Sequence, residues 1–344
     1  MVLLLRHDDI RKAVDMLDAV TAMEMGFAEE AAGGVIQPPR TNIPLGEPKG
    51  FLRLGPCVLQ TSRWMGFKAM NLADGTGTRY QISLYSMDDG ALRAIMDAQL
   101  VTTLRTGATS AVATRRLAPQ RPSLVGVIGA GREAFMQLEA MRVLGLVGKA
   151  HVFSRTAHSR ESFAAYFRNA VNMDIRAVDS AEEAVRDADI ILAAVASPEP
   201  VVKGIWLKPG AHVNSVGTAR PILREIDEEV LRRSDVIAVD TRHGVFTEAG
   251  DCVVAKAWLR PEQLIELAEL VGGRAMGRST DRQITLFKSV GTAVQDIALA
   301  VKVYEKAVEK GLGEPLGDFP FVADKGPPNI RHAALVQHAK EAAN

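Results

Sequence analysis

The chain has 344 residues, 41 Lys and Arg against 41 Asp and Glu, two cysteines and 47% apolar residues. That length accommodates two domains with separate cores, and the balanced, interspersed charge argues against a nucleic-acid-binding stripe or an acidic disordered tail. Met1 to Arg6 is too short an apolar run for a secretory signal, no window reaches the length of a bilayer span, and Cys57 and Cys252 lie far apart. This pattern suits a reduced, metal-free, cytoplasmic protein that buries both thiols and binds no membrane or nucleic acid.

After Asp8, the apolar residues Ile10, Val14, Leu17 and Val20 recur at helical spacing until Gly33-Gly34, which predicts one amphipathic helix. Beyond Pro38-Pro39-Arg40 come short apolar pieces at Phe51 to Leu54, Cys57 to Gln60, Gly66 to Asn71 and Gln81 to Met87, with Asp89-Gly90 as a hairpin-type turn. Strands without intervening helices predict an antiparallel sheet. From Leu100 to Leu117 the pattern turns helical through Leu104-Arg105-Thr106-Gly107-Ala108-Thr109-Ser110-Ala111, whose small residues let a neighbouring helix or a cofactor pack closely. Pro119 and Pro122 then mark a boundary.

The next stretch organises the rest. Leu124 to Ile128 reads as a buried parallel strand, followed by Gly129-Ala130-Gly131-Arg132-Glu133-Ala134, helically spaced Leu138 and Met141, a stop at Gly145 and a second strand at His151-Val152-Phe153. In G-x-G-x-x-A the first glycine makes the tight turn, the second lets the backbone approach a pyrophosphate, and the small third residue lets helix pack on strand. Free N–H groups at the helix start then face the phosphates. At the end of the second strand NAD binding calls for an acidic residue, but Ser154-Arg155-Thr156 stands there. A guanidinium flanked by hydroxyls suits a 2′-phosphate, which favours NADP over NAD. Further strands are predicted at Ile190 to Val195, Ala211 to Gly217 and Val236 to Asp240, with Ser180 opening an intervening helix, and a last segment from Ile284 to Gly291 leads into a long helix through Asp296 to Lys310. Alternation of strand and helix implies a doubly wound α/β sheet of Rossmann type, with ligands beyond the carboxyl ends of its strands. Pro327-Pro328 and the polar residues to Asn344 read as a tail or an arm over a partner.

Several stretches together resemble the ornithine cyclodeaminase and mu-crystallin family: Pro39-Arg40, Gly66-Phe67-Lys68, Leu104 to Ala111, Gly129-Ala130-Gly131, Asp189-Ile190-Ile191, Val216-Gly217 with Arg224-Glu225-Ile226-Asp227, and Phe287-Lys288-Ser289-Val290-Gly291. The resemblance implies a nucleotide domain, taken as residues 120–299, inserted into an α+β substrate and dimerisation domain built from both chain ends, residues 1–119 with 300–344. It also implies a homodimer. The family's substrate-carboxylate contacts fall on Arg40, Lys68 and Arg105, and Lys68 doubles as the candidate catalytic acid. Cofactor contacts are expected at Thr106 and Thr109, at Gly129, Ala130, Gly131, Arg132 and Glu133, at Ser154, Arg155 and Thr156, at Ala196, Val216 and Gly217, and at Lys288, Ser289 and Gly291.

One departure matters more than the matches. Where the cyclodeaminases carry an aspartate two residues beyond the glycine matching Gly217, this chain has Ala219, which can neither take a proton nor pair with an ammonium. The expectation is therefore the ketimine reductase-like branch: NAD(P)H-dependent reduction of a small 2-imino carboxylate. That substrate is either a cyclic ketimine such as pyrroline-2-carboxylate or piperideine-2-carboxylate, or an acyclic imine such as iminosuccinate. An acyclic dicarboxylic substrate would need a further cation, for which Arg220 is one candidate, unless it pairs with Glu225. The alternatives are an ammonia lyase that recycles NAD and a non-catalytic binder of nucleotide and a small ligand.

Overall fold

The computed structural model describes residues 2–47, 49–317 and 319–320. β1 (Leu3–Leu5) leads into α1 (His7–Ala13) and α2 (Met16–Ala31). The single helix expected here is two, because Val14 is extended and the Asp15 carboxylate accepts the Asp18 amide at 2.9 Å, restarting the helix. β2 (Val35–Ile36), β3 (Thr41–Leu45), β4 (Gly50–Leu59), β5 (Trp64–Ala73), β6 (Thr78–Ser86) and β7 (Leu92–Asp97) follow. β4 joins two of the expected pieces into one strand through Gly55-Pro56. β2 and β3 pair with β4, and β4 to β7 form an antiparallel meander. β1 lies parallel to β7, so the sheet is mixed rather than wholly antiparallel.

α3 (Gln99–Leu117) is buried at every position from Thr103 to Thr114. Its small residues admit a neighbouring helix: a Cβ on Gly107 would stand 2.4 Å from the Met136 carbonyl. That carbonyl belongs to α4 (Arg132–Val143), which follows β8 (Ser123–Ile128) and precedes β9 (Val147–Phe153). The alternation continues through α5 (Ala157–Val171), β10 (Ile175–Ala177), α6 (Ala181–Val185), β11 (Ile190–Ala193), β12 (His212–Ser215), α7 (Glu228–Arg233) and β13 (Val236–Val239). It ends with α8 (Arg242–Glu248), α9 (Gly250–Val254), β14 (Ile265–Glu266), α10 (Leu267–Val271) and β15 (Thr285–Lys288).

These strands form a parallel sheet in the order β10-β9-β8-β11-β12-β15-β13-β14. β11, β12, β13 and β15 are buried at all four positions, which is why they read as continuous apolar runs. The winding reverses between β8 and β11, so the crevice for a ligand opens beyond Ile128 and Ala193. From β15 the chain returns through α11 (Ala293–Glu309), which packs on α2, α3 and the strands β4 to β6, and ends in β16 (Glu314–Pro315) against β1. α11 thus packs on the elements of the first sheet from Ala293 onward. The proline pair Pro327-Pro328 and the polar end of the chain lie outside the described residues. No helix among the described residues is long and apolar enough to cross a membrane. Cys57 and Cys252 are free and buried, and burial pushes both thiols up to about 12.

Candidate active site

The crevice is built first by backbone. Gly129 leaves β8 at φ +108°, a conformation that side chains disfavour, and its amide still bonds Phe153 of β9. Gly131 is the N-cap of α4 and offers no side-chain cap, and a Cβ there would meet nothing within 4 Å. The first turn of α4 thus presents amides of Arg132, Glu133 and Ala134 toward open space, as a pyrophosphate requires. Ala130 continues the turn. At the end of β9, Ser154 is half-buried while Arg155 and Thr156 are exposed; Thr156 caps α5, and Arg155 makes no ion pair among the described residues. Ala196 is exposed beyond β11. Beneath the crevice, Thr106 bonds the Thr102 carbonyl, and the buried Thr109 hydroxyl has no partner among the described residues.

A second cavity, of about 210 Å³, opens between the two sheets. β5 brings Lys68 into it, α3 brings Arg105, and the segment before β3 brings Arg40; Glu133, Val216, Gly217, Ser289 and Gly291 also line it. The three cations are therefore together, although 65 positions separate Arg40 from Arg105. The organising group is Asp296, in the first turn of α11: Lys68 Nζ lies 2.6 Å from its Oδ2 and Arg105 Nε 3.1 Å from its Oδ1. Arg105 also donates to Gln295 Oε1 at 3.1 Å. Side-chain exposures are only 11%, 9% and 7% for Lys68, Arg105 and Asp296. Two buried cations share the Asp296 carboxylate, and Glu133, the other carboxylate lining the cavity, makes no ion pair among the described residues, so Lys68 and Arg105 keep the capacity to hold a substrate carboxylate.

Burial pushes Lys68 down to about 8 against the opposing pull of Asp296, with Arg105 and Arg40 adding to the depression. Burial would raise the Asp296 carboxyl, but Lys68 and Arg105 hold it below its ordinary value. Burial raises Glu133, and Arg105 opposes it. Arg40 is held by Glu248, whose Oε2 lies 2.5 Å from its Nη2, and by the Val290 carbonyl of the cavity wall, 3.3 Å from its Nη1.

The floor is held by two buried carboxylates. Asp240 accepts from the Ser289 hydroxyl and the Gly291 amide, both at 2.6 Å. Gly291 sits at φ +78°, and a Cβ there would lie 2.7 Å from the Arg105 guanidinium. Glu225 accepts from the amides of Val195 at 2.8 Å and Gly217 at 2.9 Å, tying together the ends of β11 and β12. Lys288 corrects the expectation that it faces a cofactor. Its side chain is 0% exposed and its ammonium is enclosed by Asp251 at 2.7 Å, Ser215 at 2.8 Å and Glu225 at 3.3 Å. Burial alone would lower its pKa, but the two carboxylates hold it well above the ordinary range. Of the two readings of Arg220, this network excludes a pairing with Glu225, and Arg220 stands exposed at the rim.

Sequence reasoning missed Asp296, Glu248 and Arg53, while Asp240 stands at a strand end where a ligand site was expected. Asp296 did carry a signal, since a carboxylate between Val294 and Ile297 breaks an apolar helix face and calls for a buried partner. Among the described residues no three His, Cys, Asp or Glu side chains group so as to hold a metal ion.

A phosphate-binding turn at a strand crossover, opening beside a buried cationic cavity, is the arrangement of a nicotinamide-nucleotide-dependent oxidoreductase. A family model described as ornithine cyclodeaminase/mu-crystallin matches residues 2–311, and the chain belongs to that family. It is 32% identical over 305 residues to the mouse (Mus musculus) ketimine reductase mu-crystallin, covering 87% of this chain and 94% of the relative. It superposes on the structure of Thermococcus litoralis Δ1-pyrroline-2-carboxylate reductase in complex with NADH and L-proline, with a TM-score of 0.86 and 35% identity over 91% of this chain and all of that one. An archaeal alanine dehydrogenase dimer with bound NAD is similar at TM-score 0.84 and 31% identity, covering 91% and 98% of the two chains.

Proposed function

We propose that this protein reduces a 2-imino carboxylate to the corresponding amino acid with NADPH, and works as a homodimer. The observation that carries the reading is the Lys68–Asp296–Arg105 arrangement, a buried cluster of two cations on one carboxylate, in a cavity that ends at Val216 and Gly217 beside the nucleotide crevice. The glycine turn and the uncapped start of α4 fit a dinucleotide, whose nicotinamide supplies hydride when bound. Arg105 and Arg40 grip the substrate carboxylate and fix the plane of the C=N bond. Lys68, poised at about 8, gives a proton to the imine nitrogen as the carbon accepts hydride, so C=N becomes CH–NH. Ala219 lines the same cavity without a group that can transfer a proton, which favours reduction over ammonia loss.

The relatives that act on ketimines and on pyrroline-2-carboxylate support a C=N substrate. Arg155, exposed between Ser154 and Thr156 and without an ion pair among the described residues, supports NADPH. Half-buried side chains along β4 and β5, with Ile43 and Leu45 exposed on the neighbouring β3, support a second copy covering this sheet. The test is loss of reduced-nicotinamide absorbance with NADPH and NADH in parallel, against pyrroline-2-carboxylate, piperideine-2-carboxylate, iminosuccinate formed in place, and pyruvate with ammonia. Oxidation of NADPH by an imine is expected. A flat trace across the panel refutes the reading, and ammonia release from ornithine with NAD would replace it by a lyase.

A further inference from the structure

The carboxylate cavity continues outward into a larger one of about 530 Å³, and the two share Arg40, Arg53 and Ala219 as walls. Three guanidiniums, from Arg40, Arg53 and Arg220, line this outer space against one carboxylate, Glu248. That carboxylate is committed: its Oε2 lies 2.5 Å from Arg40 and 3.7 Å from Arg53. Arg53 Nη1 faces Glu248, its Nε donates to Asn42 Oδ1 at 3.3 Å and its guanidinium lies 5.5 Å from the Phe51 ring centre, so among the described residues its Nη2 makes no hydrogen bond and can donate. Arg220 makes no ion pair among the described residues, and its backbone is fixed by its amide's bond to Thr218 Oγ1 at 3.3 Å.

The inner clamp already has Lys68 and Arg105 to hold an α-carboxylate, and the outer rim adds cations that this carboxylate does not neutralise. A cyclic, monocarboxylic ketimine would leave Arg53 Nη2 and Arg220 without a carboxylate of the substrate to bind. We infer that the substrate is a 2-imino dicarboxylate, whose second carboxylate sits between Arg53 and Arg220 while its first is held by Arg40, Lys68 and Arg105. The position left small by Ala219 gives the passage between the two sites. Burial and Arg40 depress the Arg53 pKa below the ordinary arginine value, Glu248 opposes them and Arg220 adds to the depression, so an anion at this rim would favour the charged guanidinium. Discrimination arises because two guanidiniums reward a distal carboxylate and offer nothing to an apolar ring.

This inference rests on the reductase reading, and the experiment separates the two. kcat/KM is measured with NADPH for iminosuccinate, formed from oxaloacetate and ammonia, and for pyrroline-2-carboxylate, in the natural protein and in Arg53→Gln, Arg220→Gln and Arg220→Lys. In parallel, calorimetry measures L-aspartate and L-proline binding with the oxidised nucleotide present. Iminosuccinate is expected to be the better substrate. The dicarboxylate-to-monocarboxylate ratio should fall about 10-fold or more in both Gln variants and recover partly in Arg220→Lys, with L-aspartate affinity following the same order. Turnover of pyrroline-2-carboxylate alone, or an unchanged ratio in both Gln variants, overturns the distal site and leaves the reductase standing. If no imine oxidises either nucleotide the reductase reading falls, and equal binding of L-aspartate and L-proline then removes the distal site as well.

Discussion

Replacing Asp296 by Asn keeps the shape of the clamp and removes the charge that holds it. At 2.6 Å, and with an effective dielectric of about 20, the Asp296–Lys68 attraction is worth roughly 6 kcal/mol before desolvation is counted. Breaking a buried pair of this kind costs about 3–5 kcal/mol of stability, because the partner is left charged and unmatched. Lys68 has a second way out. With the raising influence of Asp296 gone, burial, Arg105 and Arg40 drive its pKa further below about 8, while Glu133 and the Tyr80 ring, 6.0 Å from Nζ, remain nearby. A fall of one unit corresponds to ~1.4 kcal/mol. The protonated ammonium is the form that grips a carboxylate and donates, so kcat/KM in the natural protein should decline as pH rises through about 8. In Asp296→Asn this basic limb should move to lower pH by about one unit or more. The stability deficit, read by urea unfolding, should be larger at pH 6, where Lys68 is charged, than at pH 9, where it is neutral. A basic limb that stays in place, or a deficit below about 1 kcal/mol at pH 6, would refute the assignment of Lys68 as the acid held by Asp296.

Arg155→Ala should raise the KM for NADPH about 10-fold while leaving NADH little changed, as measured by initial rates; equal effects on both would mean that Arg155 does not read the 2′-phosphate. His212 is fully buried between the Thr114 and Thr285 hydroxyls, and burial first, then Arg278, pushes it down to about 3. Between pH 6.5 and 3 the unfolded chain therefore binds a proton that the folded one refuses, so stability falls as pH falls, by about 2 kcal/mol between pH 6.5 and 5. Urea titrations at pH 7 and 5 should show this slope and its flattening in His212→Asn. Gly291→Ala should cost about 1–3 kcal/mol, because φ is +78° and the new Cβ would press on the Arg105 guanidinium 2.7 Å away. Its KM for the imine should rise with no shift in the pH profile; an unchanged KM would show that Arg105 can move without loss.

The parallel sheet was legible because its signals are local. A buried strand is a short apolar run, and the turn after β8 needs glycine for reasons confined to a few bonds, so Leu124 to Phe153 announced both strand and crevice. The helix break at Val14-Asp15 was equally local but was masked by apolar spacing that continues through it. Arg40, Lys68 and Arg105 were named through resemblance; Arg40 and Arg105 alone read as ordinary cations, whereas Lys68 lies in an apolar strand where an unpaired ammonium is costly. Arg53 and Glu248 carried no signal of their own: one lies on a sheet strand and the other at the end of a short helix, and either reads as a solvated surface charge.

What the sequence by itself determined is the run of strands in the parallel sheet, the glycine turn after β8 and an alanine without a proton-transfer group at position 219. These depend on residue type, spacing and backbone conformation, all of which act over a few residues. Tertiary structure alone decided that Asp296 joins Lys68 to Arg105, that Lys288 turns inward to Glu225 and Asp251, and that Arg53 and Arg220 meet at one rim. Those relations are set by charges brought together from distant parts of the chain, where burial and the count of neighbouring cations and carboxylates fix what each group can do.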